Sequence, residues 1–393
     1  MGLADSTPEK RRARVDHPKG YEPGVELTDK GGTGVVSFEP DETPDGVPDE
    51  AWLVERFGLD PDEWSIVEGS LNVRRWQRYD GLWLAYFKAQ LDRRNPAERE
   101  LIASILDRVT ARPVPPRRKT KQDGAFCVLA TDLQIGKAEG GGTDGFLYRF
   151  GDSVDAAVGR WLDLKDRGGW AINDVALLLG GDTCEGTTGQ YAAQPFSIDL
   201  GQRDQLEIAA LSIDYMVDRF VDAGASRITL AGVPSNHGEN RSGKSLATSP
   251  RDSTDLVVLD QLRRAYSKSS RYDRVTVVVP DGEHTTITLD IAGEQIGLAH
   301  SHQSRKSTAD WWKGQMPDPS RPLSRARVLF VGHRHHLHIQ DVADDRYLIQ
   351  GPSLDGGSSW FADIAGEDQS PGMLTCVVAG GQPHDIDLIR IPR

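Results

Sequence analysis

Residues 126–134 read Phe126-Cys127-Val128-Leu129-Ala130-Thr131-Asp132-Leu133-Gln134. Five apolar residues are followed by a carboxylate and, two positions on, an amide. The apolar run is too short and too continuous for an amphipathic helix and predicts a strand buried on both faces. The same design recurs along the chain. Val175-Ala176-Leu177-Leu178-Leu179 precedes Gly181-Asp182, and Ile228-Thr229-Leu230-Ala231 precedes Asn236-His237. Further strands are predicted at 295–299, before His300, and at 327–331, before Gly332-His333-Arg334-His335. Helical stretches near 152–167 and 204–223 separate the first three strands. After about residue 273 strands dominate, at 274–279, 284–291, 295–299, 327–331 and 346–350. An α/β half followed by a β-rich half predicts two packed sheets with helices outside.

The polar residues therefore sit where apolar strands end, which is where an open α/β sheet places its ligand site. Singly, each reads as a turn residue, a helix cap or a surface histidine. Five such strand ends in one chain supply carboxylate, amide and imidazole groups, a set suited to Mn²⁺, Zn²⁺ or Fe²⁺.

The ordered series D-x-(H/Q), G-D, N-H, H and G-H-x-H resembles that of the calcineurin-like metallophosphoesterases, over about residues 126–340. The resemblance implies an α/β fold, a β-sandwich flanked by helices (αββα), holding two divalent metal ions. Mn²⁺ leads, with Mg²⁺, Zn²⁺ or Fe²⁺ as alternatives. It implies that Asp132, Gln134 and His335 bind one metal, that Asn236, His300 and His333 bind the other, and that Asp182 bridges them. His237 would be the catalytic residue beside the metals. Two cations about 3.5–4 Å apart grip phosphate oxygens and generate hydroxide at neutral pH, and a nearby imidazole protonates the leaving group. Arg241, Lys244 and His302 are candidate substrate contacts.

The chain departs from the family pattern at three points. Gln134 stands where histidine is commoner, Ser235 replaces a glycine, and Gly238 follows His237 where an acidic residue is usual, with Glu239 one position late. The orientation of His237 is thereby the least secure role. No tyrosine follows Asp182 at the spacing of purple acid phosphatases.

The chain has 393 residues, which predicts a catalytic domain plus a smaller module. Residues 1–48, rich in Pro, Gly and charge, are expected to be a disordered tail. Residues 49–110 form a small α+β module, 111–123 a basic Pro-rich linker, and 124–393 the main domain. The net charge is −13, so no global positive field recruits nucleic acid. Three scattered cysteines argue against a disulfide scaffold and, with no apolar leader or spanning run, point to a cytoplasmic protein without a membrane partner. The stretch Pro352 to Phe361 reads either as a loop over the site or, by slight preference, as a turn with packing aromatics.

Within the module, Asp80-Gly81 is read as a two-residue hairpin turn. That register pairs Arg78 with Trp83, Trp76 with Ala85 and Arg74 with Phe87. One face then carries Arg74, Trp76, Arg78, Trp83 and Phe87, a pattern that can stack bases and contact phosphates, although the reading preferred is that the aromatics form the module's small core or its dock onto the catalytic domain, with the arginines covering them. The leading expectation is a nuclease acting on DNA or RNA, similar to the SbcD-like branch, with phage-encoded members also similar in general style. The alternatives are a small-nucleotide phosphodiesterase or phosphatase and, from a different class, a non-catalytic metal-binding scaffold.

Overall fold

The computed structural model describes residues 17–28, 31–39, 49–78, 80–94, 96–111, 120–242, 246–305, 307–357, 363 and 370–391. The linker expected at 111–123 lies largely outside these, as does Lys244. The chain divides into two compact units, 1–116 and 117–393, with a mixed α/β composition of several sheets and helices.

The first unit holds β1 (Gly24–Leu27), β2 (Gly31–Phe38), α1 (Glu50–Arg56), β3 (Trp64–Ile66), β4 (Asn72–Gln77), β5 (Trp83–Arg93) and α2 (Pro96–Thr110). Strand β5 is the hub, pairing with β2, β3 and β4. Its alternate residues Ala85, Phe87, Ala89 and Leu91 point to one core, against Leu53, Val54 and Phe57 around α1. Two expectations fail here. Residues 24–27 and 31–38 do not belong to a structureless tail: β2 pairs with eight consecutive residues of β5, from Gly31 opposite Asp92 to Phe38 opposite Ala85. The glycines of Gly31-Gly32-Thr33-Gly34 dilute the apolar alternation that would have marked the strand. The hairpin register is also shifted by one residue. Gln77 lies opposite Trp83, Trp76 opposite Leu84, Arg74 opposite Tyr86 and Val73 opposite Phe87. The connection is closed by Arg78 N–H to Leu82 C=O at 2.8 Å, one position further out than a two-residue turn would allow, with Gly81 at φ 92°. Because side chains alternate, this slip separates Arg74 and Trp76 from Trp83 and Phe87, and the anticipated five-residue face does not exist.

The second unit contains β6 (Gln122–Ala130), α3 (Gly142–Asp166), β7 (Trp170–Leu179), α4 (Gln202–Asp222), β8 (Arg227–Gly232), β9 (Arg241–Ser242), β10 (Leu246–Ala247) and α5 (Thr254–Tyr266). There follow β11 (Val275–Val278), β12 (Thr286–Ile291), β13 (Glu294–Ala299), α6 (Thr308–Lys313), β14 (Val328–Val331), β15 (His338–Ala343), β16 (Arg346–Gln350), β17 (Gly372–Ala379) and β18 (Gln382–Arg390). A six-stranded sheet runs β11-β8-β7-β6-β17-β18, and a five-stranded sheet runs β12-β13-β14-β16-β15. Strands β11, β8, β7 and β6 are mutually parallel, as are β13, β14 and β16.

The continuous apolar runs have a clear cause. Phe126, Val128 and Ala130 of β6 enter a core with α3, α4 and α5, while Ala125, Cys127 and Leu129 enter a second core. That second core also receives Ile296 and Leu298 from β13 and Val328 and Phe330 from β14, so both sheets contribute to it. A third core joins Leu329 and Val331 to Ala309 and Trp312 of α6. Each central strand is buried on both faces, so neither face is polar. Parallel neighbours end on one side, which gathers the residues after β6, β7 and β8, and those after β13 and β14, at strand carboxyl ends.

Phe38 tests whether β2 belongs to the fold. Its ring lies 5.3 Å from that of Trp52 and 6.1 Å from that of Phe87. Phe38→Ala is expected to destabilise the first unit by about 1–2 kcal/mol in urea unfolding followed by tryptophan fluorescence. An unchanged midpoint would return these residues to the status of a tail.

Candidate metal centre

Asp132, Gln134, Asp182, His333 and His335 all have left-handed backbones, with φ of 53°, 44°, 49°, 78° and 56°. Non-glycine residues adopt this region at a cost, and such strain concentrates where side chains must be aimed. The loops are cross-tied. Asp132 N–H donates to Gly181 C=O at 3.0 Å and Gln134 N–H to Asp182 C=O at 2.9 Å. The His333 N–H donates to the Asp132 carboxylate at 2.9 Å, and the His237 N–H to Asp182 Oδ1 at 2.9 Å.

Asp182, His300 and His333 each offer a ligand atom, all within 4.8 Å of one another. The donor geometry around His300 is informative. Its Nδ1 lies 2.8 Å from the Gly180 carbonyl, which can only accept, so Nδ1 carries hydrogen. Its Nε2 then faces two oxygens, Asn236 Oδ1 at 2.8 Å and Asp182 Oδ2 at 3.2 Å. A lone pair aimed at two acceptors is repulsive unless a proton or a metal cation lies between them. A metal ion fits these residues for that reason. The second cluster has the same character: His335 Nε2 is 3.3 Å from Asp132 Oδ1, and its Nδ1 is 3.8 Å from Asp355 Oδ2. Gln134 is buried beside it, its Oε1 3.3 Å from Lys137 Nζ.

Electrostatics follow from burial. Burial alone would lower the pKa of His300 and His335, but the adjacent Asp182 and Asp132 outweigh it and raise both to about 9. Burial alone would raise both carboxyls, yet His335 holds Asp132 below its usual range and His300 with His237 holds Asp182 well below. Burial and the charge on His300 push His333 down to about 4, leaving it a neutral donor.

His237 Nδ1 lies 2.8 Å from the Glu185 carbonyl and 3.5 Å from Glu185 Oε2. Glu185 is buried and accepts from Tyr191 OH at 2.7 Å. Thus Glu185 orients the imidazole that Gly238 leaves without an acidic neighbour. Gly238 itself is dictated by Asp255: a Cβ there would lie 2.2 Å from Asp255 Oδ2. Buried Asp255 accepts from Thr183 N–H at 3.0 Å, Ser235 N–H at 3.1 Å and Ser235 Oγ at 2.6 Å, fixing the residues beside Asp182 and Asn236.

Of the candidate substrate contacts, Arg241 forks onto Glu239 at 3.0 and 2.7 Å, and His302 packs with its ring centroid 5.4 Å from that of His300. The stretch 352–357 is not a remote turn. Ser353 Oγ donates to the Asp132 carbonyl at 2.7 Å, and Asp355 pairs with Lys137, because Leu354 N–H also docks on Asp132 C=O. Residues 358–361 of that stretch lie outside the described residues. Sequence reasoning gave no role to Asp255 or Asp355; their partners are 72 and 218 positions away.

No protein-family model matches the sequence, and no curated protein matches it. Among solved structures, Chaetomium thermophilum Vps29 is similar over 44% of this chain and 85% of its own, at 12% identity and a TM-score of 0.26. A dimetal phosphatase from Danio rerio is similar over 68% of this chain and 99% of its own, at 11% identity and a TM-score of 0.28. At those values the likeness assigns no activity.

Asp255→Ala is expected to weaken Mn²⁺ binding by about 10- to 100-fold in calorimetric titration, although Asp255 is not in the ligand set. Affinity also depends on pH in a fixed direction. Below about 9 the His300 and His335 imidazoles are charged, and a metal must displace a proton from each. Mn²⁺ affinity should therefore climb as pH rises towards 9 and flatten above it; a pH-independent affinity would exclude these imidazoles as ligands.

Proposed function

We propose that the protein is a dinuclear metal-dependent phosphoesterase that hydrolyses phosphodiesters, built on the αββα sandwich of the calcineurin-like metallophosphoesterases. The observation that carries this reading is His300 Nε2 set against Asp182 Oδ2 and Asn236 Oδ1 at 3.2 and 2.8 Å, with His333 completing the cluster. Asp132, Gln134 and His335 would hold one ion, Asn236, His300 and His333 the other, and Asp182 would serve both. When bound, such a pair supplies Lewis acidity and hydroxide at neutral pH.

The chain's own residues do the rest. His237 stands next to Asp182 through its backbone N–H, with its Nδ1 proton directed at the Glu185 carbonyl. When the ring carries a second proton, that proton sits on Nε2, the position from which it would pass to the leaving oxygen. The Glu185 carboxylate, 3.5 Å from Nδ1, lies on the side of the ring away from that proton. Lys137, paired with Asp355, holds the Gln134 amide oxygen in place at 3.3 Å. The imidazole donors, with the neutral amides of Gln134 and Asn236, favour Mn²⁺ over Mg²⁺.

A nucleic-acid strand is the second reading of the substrate, favoured by the exposure of Arg74, Arg75 and Trp83 on β4 and β5. The loss of the five-residue face and the charge of −13 favour a small nucleotide diester instead.

With Mn²⁺, the protein should hydrolyse bis(p-nitrophenyl) phosphate, and His237→Ala should lower kcat by about 10²- to 10⁴-fold while metal content is retained. End-labelled DNA in the same assay separates the two substrates: cleavage lost in His237→Ala establishes a nuclease, and intact DNA places the substrate among small nucleotides. Metal binding without hydrolysis of either would leave a metal-binding scaffold.

A further inference from the structure

Glu239 occupies an unusual place. The position after His237 is Gly238, and the acidic side chain comes one residue later. Its described partners are Arg241 and His302. Glu239 Oε2 accepts from Arg241 Nε at 3.0 Å and from Arg241 Nη2 at 2.7 Å, and Oε1 lies 3.6 Å from His302 Nε2. The His302 ring in turn lies 5.4 Å from that of His300 and 6.2 Å from that of His333, centroid to centroid. A carboxylate is thus placed one side chain away from the ligand cluster, and its side chain is still 24% exposed.

Two cations beside the site are committed elsewhere. Arg241 gives Nε and Nη2 to Glu239 and Nη1 to the Gly189 carbonyl at 3.3 Å. Lys137 is paired with buried Asp355. Neither Arg241 nor Lys137 is therefore available to balance a second negative charge on a substrate. A phosphodiester brings one charge at neutral pH and a phosphomonoester brings nearly two. Both offer the same ester bond, so the difference between them is a second charge that Arg241, committed to Glu239, does not reward.

We propose that Glu239 is a specificity-determining residue that disfavours dianionic phosphomonoesters and so selects monoanionic diesters. The inference rests on the phosphoesterase reading and adds the substrate class. Discrimination comes from an unfavourable element against the wrong substrate rather than from a new contact to the right one.

The test measures kcat/KM of the full chain with Mn²⁺ for p-nitrophenyl phosphate and bis(p-nitrophenyl) phosphate, which share a leaving group, at about pH 8, where the monoester is a dianion. Glu239→Gln removes the carboxylate that neutralises Arg241 and leaves its guanidinium charge free for the substrate. It should raise the monoester-to-diester ratio by about 5- to 10-fold, the effect of one charge several ångströms away in a partly screened site. Arg241→Gln leaves the carboxylate uncompensated and should lower the same ratio by a similar factor. Opposite signs in the two variants support the proposal, since a structural role for the pair would move both substrates and both variants together. Ratios that stay within about twofold of wild type in both variants, or that move in the same direction, overturn it. Wild type that hydrolyses neither ester overturns the phosphoesterase reading and this inference with it, whereas wild type active on the diester with unmoved ratios overturns this inference alone.

Discussion

Two buried carboxylates, Asp132 and Asp182, each face an imidazole, and the strand-end loops of the second unit are arranged around that constraint. A buried carboxylate without compensation is among the costliest features a fold can contain. Here the compensation is shared by His335, His300, backbone N–H groups and the Thr131 hydroxyl, which donates to Asp132 at 2.6 Å. The imidazoles are pushed towards the charged form by the same carboxylates that they neutralise.

The supporting residues lie at the positions where the chain differs from the motif series that it resembles. Asp255, at the start of α5, fills the space of a side chain on Gly238 and ties Thr183 to Ser235. The serine at 235 is thus a hydrogen-bonding partner of Asp255 rather than a neutral exchange for glycine. Glu185 takes over the orientation of His237 from the far side of the loop after β7. Freed from that duty, Glu239 turns to Arg241 and His302. The acidic charge around the imidazole has been redistributed, not lost.

Much of this was legible in the sequence because β6, β7 and β14 are buried on both faces, which makes apolar runs that stop abruptly at functional residues. Asp132, Asp182, His300 and His333 stood out by that punctuation, and the structure brings them together. Other features left no local signal. Asp255 reads as an ordinary acidic residue in a first helical turn, and only its distant partners reveal its task. Asp-Gly marks a hairpin but does not distinguish a two-residue from a three-residue loop; the closure of Arg78 on Leu82 shows which it is, and with it the faces of β4 and β5. Strand β2 was hidden because glycines interrupt its alternation, although Gly34 lies against Phe57 and its neighbour Val35 is buried.

On the reading proposed, Asp182 would serve two metal ions in one site. Electron paramagnetic resonance during Mn²⁺ titration of the metal-free protein tests it most directly. The result expected is a spin-coupled pair as the second ion binds, since cations about 3.5–4 Å apart interact, and loss of that coupling in Asp182→Asn. An isolated-ion spectrum up to saturation in the wild type would contradict the account.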